Sequence, residues 1–253
     1  MHGRRLTLAL TAALLLALIA APSANAYYKY GYHGFGADTA NEKYGFRGWL
    51  KTVSPRVPIL ADQFSLSNLY IASEWGHDAV YPWVEIGCFK GAKYTQGNMP
   101  DPCCYWAYCP SSNLEDYIEM YAQAHTQSVG TWQKYGIRRD GTNANGQYRW
   151  KFFIDGELID TIAVDHPGYG HPTAGGEIMS PTTPSDPDDR PHMNAQGKNI
   201  GTGSDSDYYN FMTSDGTWYK WSTSYGQYAH YHNSGISFAT SAPYHSVFEA
   251  SGE

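Results

Sequence analysis

What most constrains this chain is a strand–turn–strand signature that recurs along it without a long helical run to interrupt. Its clearest instance is "GQYRWKFFIDGELIDTIAV" (146–164), in which two apolar, aromatic segments flank Asp155-Gly156. An Asp-Gly pair between two such segments is a strong short-range signal for a tight β-hairpin. "GWLKTVSP" alternates apolar and polar residues as a half-buried strand does. "FSLSNLYIAS" alternates through Phe64 and Leu66 and then through Leu69 and Ile71, a change of phase that predicts a bulge. "LEDYIEMY" (114–121) fits a short helix or a strand, and the Tyr- and Gly-rich segment 27–47 reads as irregular or as an edge strand. "NIGTGS", "DYYNFM", "TWYKWST" and "HSVFEA" read as closing strands, and "PTTPSDPDDRP" as a surface loop. The 22 Tyr, 8 Trp and 26 Gly of the 253 residues suit strands and turns. Many short strands between turns, with no internal repeat, predict an all-β fold: an antiparallel β-sandwich in one domain.

That domain is expected to span 27–253. Residues 1–26 have a basic start (Arg4, Arg5), an apolar run from Leu6 to Ala21, a helix breaker at Pro22 and the small-x-small end Ala24-Asn25-Ala26. This is the pattern of a secretory signal peptide cut after Ala26. The predicted location is therefore outside the cell, free or associated with the cell wall, with no membrane attachment after cleavage. Of 17 basic and 24 acidic residues, the leader removes only two arginines, leaving the mature chain at −9 (15 against 24). An acidic chain without a basic cluster argues against nucleic acid as a partner.

The four cysteines, Cys88, Cys103, Cys104 and Cys109, lie close together, and export permits disulfides. Sequence does not choose among their three pairings. Cys104–Cys109 would close a small loop in "CCYWAYC", leaving Cys88 with Cys103. A zinc site is the rival, but it lacks paired CxxC units. His230 and His232 in "AHYHN" read as a polar strand face, and Asp205, Asp207 and Asp186–Asp189 as solvated turns without the spacing of a calcium loop. No metal or organic cofactor is predicted.

Chemistry is carried instead by two acids in apolar strands. In "YPWVEIGCFKG" strict alternation puts Trp83, Glu85, Gly87 and Phe89 on one face and Val84, Ile86 and Cys88 on the other. A carboxylate among aromatics, beside a glycine that leaves the face open, is unusual for a purely structural strand. Glu177 in "TAGGEIMS" likewise follows glycines and precedes apolar residues. Two carboxyls on one cleft can divide the roles of general base and general acid on a water molecule. Glu119 and Glu157 also stand near apolar residues.

These segments, in this order, resemble the neprosin-type glutamic endopeptidases, secreted β-sandwich enzymes. "GWLKTVSPRV" is similar to the family's opening strand, and "FSLSNLYIAS" to its "FSLSQIW" strand. "WVEIGCF" resembles its "IEAGW" strand, and "AGGEIMS" its "WGGEV" strand. "CYWAYC" resembles a Cys-x4-Cys loop, and "GTGS" a Met-Gly-Ser-Gly stretch. The resemblance covers roughly residues 46 to 215 and, with the leader, fits a divergent bacterial member. It implies a jelly-roll (concanavalin-like) sandwich with Glu85 and Glu177 as the catalytic pair. It also implies a peptide or protein substrate, cleavage after proline and no cofactor. Tyr81, Trp83 and Trp106 are the candidates to line a substrate cleft, and the chain is expected to be a monomer. The alternative is a non-catalytic, lectin-like secreted sandwich that binds carbohydrate or peptide through its aromatic residues.

Overall fold

The structure, a computed structural model, describes residues 27–35, 43–58, 63–73, 82–93, 97–110, 116–165, 168–180, 190–198, 210–220, 228–232, 236–240 and 247–252. The leader, Tyr81 and the aspartates at 186–189, 205 and 207 lie outside the described residues, as do the side chains of His230 and His232.

The strands, numbered in chain order, form two antiparallel sheets. The first runs β14 (Tyr228–His232), β1 (Tyr27–Phe35), β10 (His171–Ser180), β3 (Phe64–Ala72), β4 (Trp83–Lys93), β5 (Gly97–Cys109) and β6 (Ile118–Tyr121). The second runs β15 (Ile236–Thr240), β16 (Val247–Gly252), β11 (Met193–Lys198), β2 (Gly45–Lys51), β7 (Trp132–Thr142), β8 (Tyr148–Ile154) and β9 (Glu157–Val164). The short pair β12 (Asn210–Met212) and β13 (Trp218–Lys220) extends it beside β2. The predicted β-sandwich is therefore observed. The segment 114–121 contributes a strand rather than a helix. β1 is an interior strand between β14 and β10, not an edge.

The hairpin β8–β9 turns at Asp155-Gly156, where both residues have positive φ (51° and 88°). That geometry matches the right-handed twist of the flanking strands, which is why an Asp-Gly pair stands there. Between the sheets, Leu69, Ile71, Val84, Ile86, Ala174 and Ile178 meet Phe46, Leu50, Ile137, Trp150, Phe152 and Phe211 in one buried cluster. Trp106 belongs to it, its indole stacked on Phe152 at 5.1 Å. It is a core residue, not a cleft residue, because its even position on β5 turns it toward the second sheet.

β3 carries no bulge: its register is continuous against both β10 and β4. Its apolar pattern changes phase because both of its faces are buried, Phe64, Leu66 and Tyr70 on one side and Leu69 and Ile71 on the other. In this sheet a register shift lies instead between Phe89 and Gly91 of β4.

The expected cysteine loop is replaced by the extended strand β5. Cys104 and Cys109 are five residues apart on it, about 17 Å at ~3.4 Å per residue, beyond the reach of a disulfide. Cys103 pairs across the sheet with Phe89, and Cys104 with Cys88, so Cys88 and Cys103 face opposite sides. Neither suggested pairing fits, and among the described residues the four buried cysteines form no disulfide.

The glycines near the glutamates serve close strand approach. A Cβ at Gly87 would lie 1.9 Å from the Ser67 carbonyl oxygen on β3, and one at Gly175 would lie 2.0 Å from that of Gly31 on β1. Gly176 faces the other way, where a Cβ would come within 2.6 Å of the Ala195 Cβ on the second sheet. By contrast, a Cβ at Gly136 would make ordinary contacts of 3.4 Å and 3.7 Å. Gly87→Ala should therefore lower Tm by several degrees, in line with ~1–3 kcal/mol of overpacking. Gly136→Ala should leave it within about a degree or two of wild type. Thermal melts of the two variants side by side check this.

Candidate active site

On the face of the first sheet turned away from the core, aromatic residues of β3, β4, β5 and β6 form a second buried cluster, including Phe64, Tyr70, Trp83, Phe89 and Tyr105. Trp83 lies 5.6 Å from Tyr70 and 5.4 Å from Tyr117, ring centre to ring centre, and Phe89 lies 5.4 Å from Tyr121. Glu85 stands in this apolar wall with 4% exposure, on the side that alternation assigns it. Trp83 is on that side too. Glu177 is half-buried on β10.

Register sets the two acids on one face, on the strands either side of β3 and four positions apart along it. Asn68, at the centre of β3, is paired with Gly175 of β10 on one side and Gly87 of β4 on the other. Glu177 is opposite Leu66 and Glu85 is opposite Tyr70, each two positions from Asn68 in opposite directions along β3. All of these positions share one parity, so both glutamates are diagonal neighbours of Asn68, on its two flanks and on its own face. Asn68 Nδ2 donates to Glu85 Oε2 at 2.6 Å. On the other flank, the Tyr32 hydroxyl of β1 donates to Glu177 Oε1. Tyr32 is fully buried, in the same cross-strand row as Gly175 and Asn68. Tyr105 follows in that row beyond Gly87, and Tyr121 of β6 beyond Tyr105.

Tyr105 registers the charge of this space directly. Its phenol is pushed well above the ordinary value, first by burial and then by the nearby Glu85, Tyr117, Glu177 and Glu119. Both glutamates therefore act on a single buried hydroxyl. The Tyr105 hydroxyl, Asn68 Oδ1, Thr173 Oγ1 and Trp83 Nε1 are buried with no hydrogen-bond partner among the described residues. Leaving such a group unsatisfied costs about 1–3 kcal/mol, which favours a polar guest.

A third acid completes the arrangement. Glu119 of β6 is opposite Ala107, which is opposite Glu85, so the two acids share a row with only a methyl side chain between them. Glu119 has 4% exposure, and the hydroxyls of Tyr117 and Tyr121 donate to its two oxygens. Tyr117 is pushed well above the ordinary value by burial, then by Glu85 and Glu119. In the sequence, Glu119 was visible only as an acid near apolar residues. Asn68 had a legible signal, an amide in phase with Phe64, Leu66 and Tyr70. Tyr32 had none, because its partner strand is distant in the chain. Among the described residues, no three His, Cys, Asp or Glu side chains converge in a way that would hold a metal ion.

By sequence the chain matches no family model, and no curated protein aligns with it significantly. Its fold is similar to that of scytalido-glutamic peptidase, solved with a transition-state analogue inhibitor. The TM-score is 0.50 at 10% identity, over 91% of this chain and 99% of that one. The chain shares its fold with a glutamic peptidase. SCP-B, a member of the Eqolisin family of peptidases solved with the tripeptide Ala-Ile-His, aligns over the same shares at TM-score 0.45 and 11% identity.

The buried thiols and phenols fix the alkaline limit of stability. Burial pushes Cys103 up from 9.0 to about 11. Tyr105, Tyr117 and Tyr135 are likewise raised above 10.0, chiefly by burial. Each group keeps its proton in the folded chain to a higher pH than in the unfolded one. Their contribution is fully present below the unfolded values and is lost as pH rises past them. Tm should hold level up to pH 9 and fall steadily between pH 9 and 11, measured by circular dichroism across that range.

Proposed function

We propose that the protein is an exported glutamic endopeptidase that hydrolyses peptide bonds with Glu85 and Glu177. One observation carries this reading: two carboxyl groups flank Asn68 on the aromatic, outward face of one sheet. The shared fold with a glutamic peptidase supports it, as does the resemblance of "WVEIGCF" and "AGGEIMS" to the catalytic strands of the neprosin-type enzymes.

The surroundings of the acids divide their roles. The hydroxyl of Tyr32 makes a bond to Glu177 that is strongest when the acceptor is ionised. Glu177 is therefore the base that removes a proton from water as the oxygen attacks the scissile carbonyl. Glu85 is the more deeply buried of the two, among Tyr70, Trp83 and Tyr117, and is assigned as the protonated acid, with Oε2 accepting from Asn68 and the proton carried on Oε1. It polarises that carbonyl and then gives its proton to the departing amine as the C–N bond breaks. The Tyr105 hydroxyl is a donor for the oxygen of the tetrahedral intermediate. Trp83 walls the cleft, and proline at the residue before the cut is the expected preference.

The test is digestion of a proline-containing peptide and its alanine counterpart at about pH 3 to 6, the range in which paired carboxyls titrate. Glu85→Gln and Glu177→Gln should each lower kcat/KM by at least ~100-fold with unchanged circular dichroism. Equal cleavage by all three proteins excludes the pair. Failure of the wild type to cleave either peptide favours the lectin-like alternative.

A further inference from the structure

The second sheet also has a face turned away from the core, on the opposite side of the sandwich from the glutamates. It holds a groove of about 420 Å³ lined by Arg47, Lys134 and Arg138 and by Trp49, Phe153 and Trp218. Each cation lies over one ring: Arg47 over Trp218 at 4.3 Å, Arg138 over Phe153 at 5.1 Å and Lys134 over Trp49 at 5.9 Å. A guanidinium stacked by its face keeps its N–H edge for a ligand. Gly136, paired with both Arg47 and Phe153, forms the floor. A methyl would fit there without a clash, so what the glycine contributes is depth.

The two guanidiniums lie close enough to repel each other, and the charge of Asp140 acts on Arg138 without a direct ion pair. Arg47 is pulled below its ordinary value by burial and by the charge of Arg138. Its Nε donates to Oδ1 of the buried Asn210 at 2.9 Å, which fixes the head without neutralising it. Asp155 is itself part of the groove lining, whereas Asp140 is not. Asp155 accepts the backbone N–H of Lys134 at 2.9 Å, and Asp140 is bridged by Arg149 at 3.2 Å and Lys151 at 2.8 Å. Among the described residues, neither Arg47 nor Arg138 forms an ion pair with a carboxylate, in a chain of net charge −7.

We propose that this groove binds an anionic oligosaccharide, a short glycan bearing carboxylate or sulfate groups. Its volume is that of a small-ligand site, commonly ~300–1,000 Å³. Its three cationic side chains are pure donors, which suits a ligand made of acceptors: anionic groups, hydroxyls and ring oxygens. An acidic peptide is a poorer match. It brings backbone N–H donors of its own, and β2, β7 and β8 are interior strands with no free edge to pair with it. Charge complementarity selects the anion, and the flat rings beside the cations offer stacking surface to sugar faces.

The test is titration calorimetry on the mature full-length chain. The probes are a digalacturonate, a sulfated heparin disaccharide, neutral cellobiose, inorganic sulfate and a triglutamate peptide. Binding of either charged disaccharide, weakening with added salt, is expected, and which of the two binds identifies the anionic group. Arg47→Gln and Arg138→Gln should each weaken it at least about tenfold. Gly136→Leu, which fills the floor and leaves the charges, should abolish it, with Tm recorded for every variant. Glu85→Gln and Glu177→Gln should bind as wild type does, so this result stands apart from that of the peptidase assay. Four outcomes would each overturn the proposal: no binding by any probe, cellobiose or sulfate binding as tightly as the charged disaccharides, tighter binding of triglutamate, or unchanged affinity in all three groove variants.

Discussion

The register of three neighbouring strands, β10, β3 and β4, is the constraint on which the rest of the structure depends. Asn68 is the common reference, paired on both sides with glycine. A slip of one residue on β4 or β10 would turn its glutamate toward the core and an apolar residue outward. Such a slip is opposed from both faces. Leu69, Ile71, Val84, Ile86 and Ile178 are locked against the second sheet, and Phe64, Tyr70, Trp83 and Phe89 pack on the opposite side. The apolar packing thereby holds two acids in position, although neither would be stable in such surroundings without polar partners.

The polar partners of these two acids and of Glu119 are one amide and three tyrosines. Tyr32, Tyr117 and Tyr121 each offer an aromatic ring to the wall and a hydroxyl to a carboxylate. A phenylalanine would fill the same volume and leave the carboxylate without a donor. The aromatic wealth of the chain is thus divided by face. The first sheet combines rings with acids, and the second combines rings with Arg47, Lys134 and Arg138. A protein with a net negative charge keeps its acidic and basic faces on opposite sides of one core.

Particular residues show what could be read in advance and why. Alternation along "WVEIGCF" placed Glu85, Trp83 and Phe89 on one side, because the period of a strand is local geometry. The Asp155-Gly156 turn was legible for the same reason. The phase change in "FSLSNLYIAS" was misread as a bulge because a strand covered on both faces loses its polar alternation. "CCYWAYC" was misread as a loop because closely spaced cysteines imply a disulfide only if the chain turns, and here it runs straight. Trp106 was placed in the cleft although its even position sends it to the core.

The all-β class, the principal hairpin and the parity that puts Glu85 beside aromatic residues were set locally, since each depends on neighbours along the chain. That Glu177, 92 positions away, flanks the same asparagine as Glu85 follows from strand order and could not be read along the chain. Strand order also decided that Tyr32 and Glu119 join them and that Arg47 and Arg138 share a groove. These relations depend on which strands lie side by side, and strand order in a sheet is set by burying two faces at once, a property of the whole core rather than of any segment.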